Sequence, residues 1–178
     1  MPTVISHALA AGALVAACAP EGARARAAGL AALCAVAPDL DVIGMRAGIP
    51  YDDLLGHRGL SHSLAAAAVL GLATALLAFR GARWRSRLPW LCVLLALATA
   101  SHGAFDALTS GGLGVAFFSP VDETRYFFPL RPIVVSPISV SRLLSKSGAA
   151  VLASEIAWVW LPSLALALSI TGIRRLSR

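Results

Sequence analysis

Three long apolar runs, at residues 60–79, 88–108 and 149–173, limit what this chain can fold into more than any other feature. Each has close to the ~20 residues that a helix needs to cross the hydrocarbon of a bilayer. Apolar residues arrive in blocks rather than in amphipathic alternation, as expected where hydrocarbon is the solvent on most helix faces. With 58% hydrophobic residues, 13% charged and a mean hydropathy of +0.77, the composition excludes an ordinary soluble domain. The 178 residues are expected to form one membrane-embedded domain, residues 1–178.

Charge sets the expected orientation. Arg80, Arg83, Arg85 and Arg87 crowd the turn between the first two long runs, and Arg174, Arg175 and Arg178 follow the third. Basic clusters beside spans mark the cytoplasmic side, so both belong inside and residues 109–148 outside. The net charge of +6 is then a matter of orientation, and no nucleic-acid partner is expected. Ahead of the long runs lie two short apolar segments, 3–19 and 27–37, with Arg24 and Arg26 between them on the inner side. They form either a pair of short helices or a re-entrant hairpin. The expected fold is all-α: a polytopic bundle of about five helices, three long spans plus a short N-terminal pair, with a polar end near the external face. Glu155 and Pro162 interrupt the third run, which predicts a kink, a tilt or packing against a polar interior.

Smaller signals refine this picture. Cys18, Cys34 and Cys92 are odd in number, lie in apolar segments and lack C-x-x-C spacing, so they read as small buried side chains. Val15-Ala16-Ala17-Cys18 resembles a lipoprotein cleavage site, but no Lys or Arg precedes the apolar stretch, which argues against a cleaved signal. The second short helix is expected to end before Pro38, because the residue preceding proline is disfavoured in helical geometry. If residues 38–41 are extended, Asp39 and Asp41 fall on the same side. Residues 42–56, punctuated by Gly and Pro and carrying Arg46, Asp52 and Asp53, read as a loop.

Two constellations carry chemistry. The first is His57-Arg58-Gly59-Leu60-Ser61-His62-Ser63, with two imidazoles, a guanidinium and two hydroxyls at the mouth of an apolar run. Neutral imidazole is a common metal ligand and suits proton transfer near neutral pH. The plainer alternative is a polar helix start, capped by Ser61 or Ser63 with His57 and Arg58 solvated. The second is His102 and Asp106, one helical turn apart on one face, a spacing that can hold a divalent metal. Its alternative is a private hydrogen bond that stabilises the bundle. His7 is either a ligand or a polar anchor near a helix start.

The N-terminal histidine, Pro38-Asp39-Leu40-Asp41, His57-Arg58-Gly59-Leu60-Ser61-His62-Ser63, and His102 to Asp106 followed by Ala107-Leu108-Thr109-Ser110-Gly111-Gly112 stand in an order that resembles the YdjM-type family of membrane-bound metal-dependent hydrolases. Phe118-Ser119-Pro120, Tyr126 to Pro129, Arg131-Pro132-Ile133, Ser136-Pro137, Ser154-Glu155 and Trp160-Leu161-Pro162 extend the resemblance along most of the chain. It implies a helical protein of the bacterial inner membrane and, more distantly, kinship with zinc-dependent phospholipase C and single-strand nuclease folds.

Read as chemistry, His7, Asp41, His57, His62, His102 and Asp106 suit one zinc ion or a close pair, with Asp41 or Asp106 available to bridge. Metal-activated water would be the nucleophile. Arg58 matches the geometry of a phosphoryl oxygen pair, and Asp39 or Glu155 would serve as base or orienter. The outer loop carries Phe117, Phe118, Tyr126, Phe127 and Phe128 beside Arg125, Arg131, Arg142 and Lys146, which suits the headgroup level. A lipid or lipid-linked phosphoester is the expected substrate, and a plain interfacial belt is the alternative for that loop. The competing function is a small transporter or a non-catalytic metal-binding membrane protein, since intramembrane His and Asp also mark ion pathways.

Overall fold

Helices account for all the regular structure among the described residues, which are 1–137 and 146–177 of the computed structural model. Arg142 and the side chain of Lys146, named above in the outer loop, lie outside them. The first helix, α1 (Val4–Cys18), gives way at Ala19, before Pro20. Next, α2 (Arg24–Val36) runs into a 3-10 turn (Ala37–Asp41) and the short α3 (Val42–Arg46). A further 3-10 turn (Leu60–His62) precedes α4 (Leu64–Ala78), and α5 (Leu88–Ala107) follows the arginine-rich turn. The last helical stretch comprises α6 (Lys146–Glu155), a π turn (Ile156–Trp160) and α7 (Leu161–Leu176).

Among the described residues, three helical stretches are long and apolar enough to cross a membrane: Arg24–Arg46, Leu88–Ala107 and Gly148–Leu176. The short second helix expected from the sequence is therefore a 23-residue stretch, whereas the run at residues 60–79 yields a helix of only 15. Particular residues mark both differences. Pro38 sits in the first turn of a new helical segment, where its missing N–H is no loss, so the chain stays helical through residues 38–41 and into α3 rather than extended or looped. Ser63, in extended geometry, caps α4 by accepting from the Ala66 N–H at 3.0 Å, and residues 60–62 form a separate turn. At the interruption expected in the third run, Pro162 occupies the first turn of α7 and cannot donate to the preceding turn, and a π turn takes up the register change.

Small side chains decide how close the helices come. Ala23, Ala27, Ala31 and Ala35 recur every fourth residue along α2 and its approach, all fully buried. They pack with Ala11 and Val15 of α1 and Leu91, Leu95 and Ala98 of α5 in one apolar core. Helices in hydrocarbon gain little from mutual burial of apolar surface, so close packing of small residues supplies much of their association. Outward-facing Leu33, Val69, Leu77, Leu97 and Leu168 are exposed, as befits a lipid-facing surface. The segment after α5 folds over one end of the bundle, held by isolated bridges Thr109 to Ile133 and Val115 to Tyr126.

The contact of α4 with α5 depends on Gly71, where a Cβ would collide with the backbone of Leu95 and Ala96. Backbone cannot swing aside as a side chain can. Gly71→Ala should therefore cost about 1–3 kcal/mol, seen as a lower melting temperature in detergent. Gly29→Ala, whose Cβ meets nothing within 4 Å, should be neutral or slightly stabilising. Equal melting of the two variants would show that the helix contact is looser than described.

Candidate metal centre

Four segments bring their polar residues to the covered end of the bundle. His7 comes from α1, Asp39 and Asp41 from the 3-10 turn after α2, His57 to His62 from the chain before α4, and His102 and Asp106 from α5. Asp39, His62, His102 and Asp106 each offer a ligand atom within 4.8 Å of the others. The Nε2 atoms of His62 and His102 lie 2.9 Å apart. Asp39 Oδ1 is 3.3 Å from His102 Nε2 and 3.8 Å from His62 Nε2. Asp106 Oδ2 is 3.6 Å from His62 Nε2 and 4.0 Å from His102 Nε2. Tetrahedral ligands about 2.05 Å from a zinc ion stand about 3.3 Å apart, and these distances scatter around that value. His7 stacks on His102 with ring centroids 3.8 Å apart and points Nε2 at Asp106 Oδ1, 3.5 Å away.

Hydrogen bonding fixes which nitrogens are free. His102 Nδ1 lies 2.7 Å from the Ala35 carbonyl, which can only accept, so Nδ1 carries the proton and Nε2 keeps its lone pair. In a 3-10 turn the residue three positions on, Pro38, would donate to Ala35, and proline has no N–H. Ser61 Oγ donates to Asp41 Oδ2 at 2.6 Å, which uses its proton. His62 Nδ1, 2.9 Å from that hydroxyl and 3.2 Å from Asp41 Oδ2, must therefore donate, leaving Nε2 bare. Two lone pairs 2.9 Å apart repel unless a proton or a cation lies between them.

The charge balance points the same way. The carboxylates of Asp39, Asp41 and Asp106 have near them one buried guanidinium, Arg58, paired with Asp106, and the Met1 ammonium, whose burial lowers its pKa to about 6, so the cluster holds negative charge for a cation to balance. Both oxygens of Asp39, Asp106 Oδ1 and both nitrogens of His7 are buried without a hydrogen-bond partner among the described residues, and Asp106 Oδ2 has the Arg58 Nε beside it. Buried polar atoms are rarely left so, and a divalent ion is the partner that this donor set fits.

The 3-10 geometry separates the two aspartates that an extended chain would have aligned. Asp39 turns to His62 and His102, while Asp41 accepts from His57 Nδ1 at 2.7 Å, Ser61 Oγ, His62 Nδ1 and the Arg58 N–H at 3.2 Å. Ser63 caps α4 and Ser61 joins the cluster, but His57 and Arg58 are buried rather than solvated, so the plain polar helix start does not hold. Arg58 does not share a helical face with His62. It lies in the left-handed region at φ 64°, a strained position for a residue with a side chain. Its guanidinium is buried, with Nε 2.9 Å from Asp106 Oδ2, Nη1 donating to the Gly111 carbonyl at 3.0 Å and Nη2 to Thr109 Oγ1 at 3.1 Å. Gly112, at φ 93°, leaves room for it: a Cβ there would come within 2.6 Å of Arg58 Nη1.

Glu155 lies apart from the histidines. It accepts from the Thr3 N–H and the Thr3 hydroxyl, both at 2.6 Å, and from Ser6, which also receives the Trp160 indole N–H at 2.6 Å. Arg125 turns inward from its loop, donating to the carbonyls of His57, Tyr51 and Asp53, whereas Arg131 stacks on Phe127. Tyr51, edge-on to His57 at 5.3 Å, and the Ala35 carbonyl belong to the surroundings of the site and have no signal in the sequence. Thr109 does, as the polar residue that follows the His102–Asp106 helix end.

Comparison with known proteins places this arrangement. No solved structure matches the chain. The inner membrane protein YbcI of Escherichia coli (strain K12) is 38% identical over 135 residues, 75% of this chain and 76% of that protein. A family model described as YdjM inner membrane protein matches residues 1–177. The chain, with its histidine and aspartate cluster at one end of a helical bundle, belongs to the YdjM inner membrane protein family.

Proposed function

We propose that this chain is a membrane-bound hydrolase that uses a divalent transition metal, zinc by its ligand set, to cleave a phosphoester of a lipid or lipid-linked substrate. The observation that carries the reading is the set of buried His and Asp atoms without hydrogen-bond partners, gathered around two opposed imidazole lone pairs. Bound there, such an ion would supply Lewis acidity toward a phosphoryl oxygen and acidify water at neutral pH. His62 Nε2, His102 Nε2, Asp106 and Asp39 Oδ1 would hold it, and Asp106, between His7 and His62, is our candidate for a ligand shared with a second ion.

The remaining residues orient and move protons. Asp39 Oδ2 has no partner and serves as proton acceptor, while Asp41 orients His57 and His62. Arg58 holds Asp106, and Glu155 secures the start of α1, and so His7, through Thr3 and Ser6. Exposed Leu40, between the two aspartates, and nearby Ile43 and Leu55 give an amphiphilic substrate an apolar border. A transport route would need polar groups along the whole bundle, and the other half is an alanine- and leucine-lined core. Because the arginine turns and tail lie at the opposite end, we assign the site to the external face.

Metal content tests the ligand set. The purified protein should carry stoichiometric zinc or a related ion, and His62→Ala combined with Asp106→Ala should lose most of it while still eluting as a folded species in detergent. Full metal in that double variant would refute the assignment.

Arg58→Lys keeps a positive charge but cannot serve Asp106, Thr109 and Gly111 together. Metal affinity should fall by about tenfold or more. Unchanged affinity with lost phosphoesterase turnover would instead assign Arg58 to the substrate's phosphoryl group. Orientation is tested separately. A reporter fused after Arg178 should read as cytoplasmic and one inserted at Gly112 as external, and the reverse pattern would move the site to the inner face.

A further inference from the structure

The end of the bundle opposite the histidines has its own chemistry. The α1–α2 turn with the first turn of α2, the α4–α5 turn, and the last turn of α7 carry eight arginines and one acidic residue, Glu21. These segments meet in space: Arg87 donates to the Glu21 carbonyl at 3.2 Å, and Arg174 to the Ala19 carbonyl at 3.2 Å. Orientation in the membrane accounts for the sign of this charge. It does not account for the cleft within it.

That cleft, about 440 Å³, has Arg80 and Arg85 on its rim and Leu76, Phe79 and Leu88 along its floor. Gly81, at φ 103°, makes a turn that few other residues would adopt and brings the two arginines to one opening. Neighbouring arginines are used differently. Arg26 lies over the Phe79 ring at 5.3 Å and Arg83 over Trp84 at 4.8 Å, and Trp84 packs edge-on against Phe79. The guanidinium groups of Arg80 and Arg85 have no hydrogen-bond, ion-pair or ring partner among the described residues. No acidic side chain lines the cleft.

Two unpartnered guanidiniums above an apolar trough match an amphiphile with an anionic phosphate head. A free phosphate ion would leave the floor unused, and a zwitterionic lipid would bring a cation to the arginines. We propose that this cleft binds an anionic phospholipid, its phosphate between Arg80 and Arg85 and the start of an acyl chain along Leu76, Phe79 and Leu88. The proposal is independent of the hydrolase reading, because the cleft and the histidine cluster share no residue.

The test uses the full chain in nanodiscs of equal phosphatidylglycerol and phosphatidylcholine, with retained lipid read by native mass spectrometry after transfer to a neutral detergent. Phosphatidylglycerol should be retained over phosphatidylcholine. Arg80→Gln with Arg85→Gln should lower that retention about tenfold, whereas Arg24→Gln with Arg175→Gln, an equal loss of charge outside the cleft, should leave it unchanged. Ala82→Trp fills the cleft without altering charge; it should also lose the lipid, and it carries the test if the arginine variant misfolds. Equal retention across all these variants would reduce the cleft to general interfacial charge and overturn the proposal. Displacement of the lipid by millimolar inorganic phosphate would also overturn it, by showing a bare phosphate site.

Discussion

Burying Asp106, and nearly burying the side chains of Asp39 and Asp41, with one guanidinium among them is the constraint that the rest of the structure answers to. An unbalanced buried charge is costly, and each carboxylate needs donors or a cation within reach. Asp41 meets that need within the protein, from a serine, two imidazoles and a backbone N–H. Asp106 meets it in part, through Arg58, and Asp39 least of all. The three carboxylates thus form a gradient from satisfied to unsatisfied. The segment after α5 then closes over the cluster: Leu64 N–H donates to the Phe117 carbonyl at 2.9 Å and Ala116 N–H to the Arg58 carbonyl at 3.0 Å.

The apolar half of the bundle serves the polar half by proximity. A helix lined with alanine lets α5 come close enough for a histidine ring to reach a backbone carbonyl of α2. Gly103 continues the theme on α5, since a Cβ there would lie 3.0 Å from the His62 carbonyl and 3.3 Å from the Phe117 ring. Larger residues at these positions would bury more surface and hold the histidines and aspartates apart. The composition that first marks the chain as a membrane protein is also what allows four segments to share one small site.

Much of this was legible before any coordinates. Runs of apolar residues announced the helices, and the turn of spacing between His102 and Asp106 put both on one face. Other features were hidden because their causes are tertiary. The helical course of residues 37–41 depends on partners contributed by α5 and by the chain before α4, and local preference at a proline pointed the other way. Arg58 sits in left-handed geometry because Asp106, Asp41 and the overlying loop hold it from three sides, and no pattern in His57-Arg58-Gly59 signals that. Arg125 looked like a surface cation in the loop, and only the path of residues 51–57 shows that it fastens backbone.

Pro38 acts on the site through something it lacks. Its imino ring offers no N–H to the Ala35 carbonyl in a 3-10 turn, that carbonyl accepts a hydrogen bond from His102 Nδ1, and the opposite nitrogen faces the cluster. The tautomer of His102 is thereby tied to the main chain of another helix. Such a determinant escapes any survey that replaces polar side chains one at a time. It also means that the basicity of this site is inherited from the backbone route of α2 as much as from its own imidazoles and carboxylates.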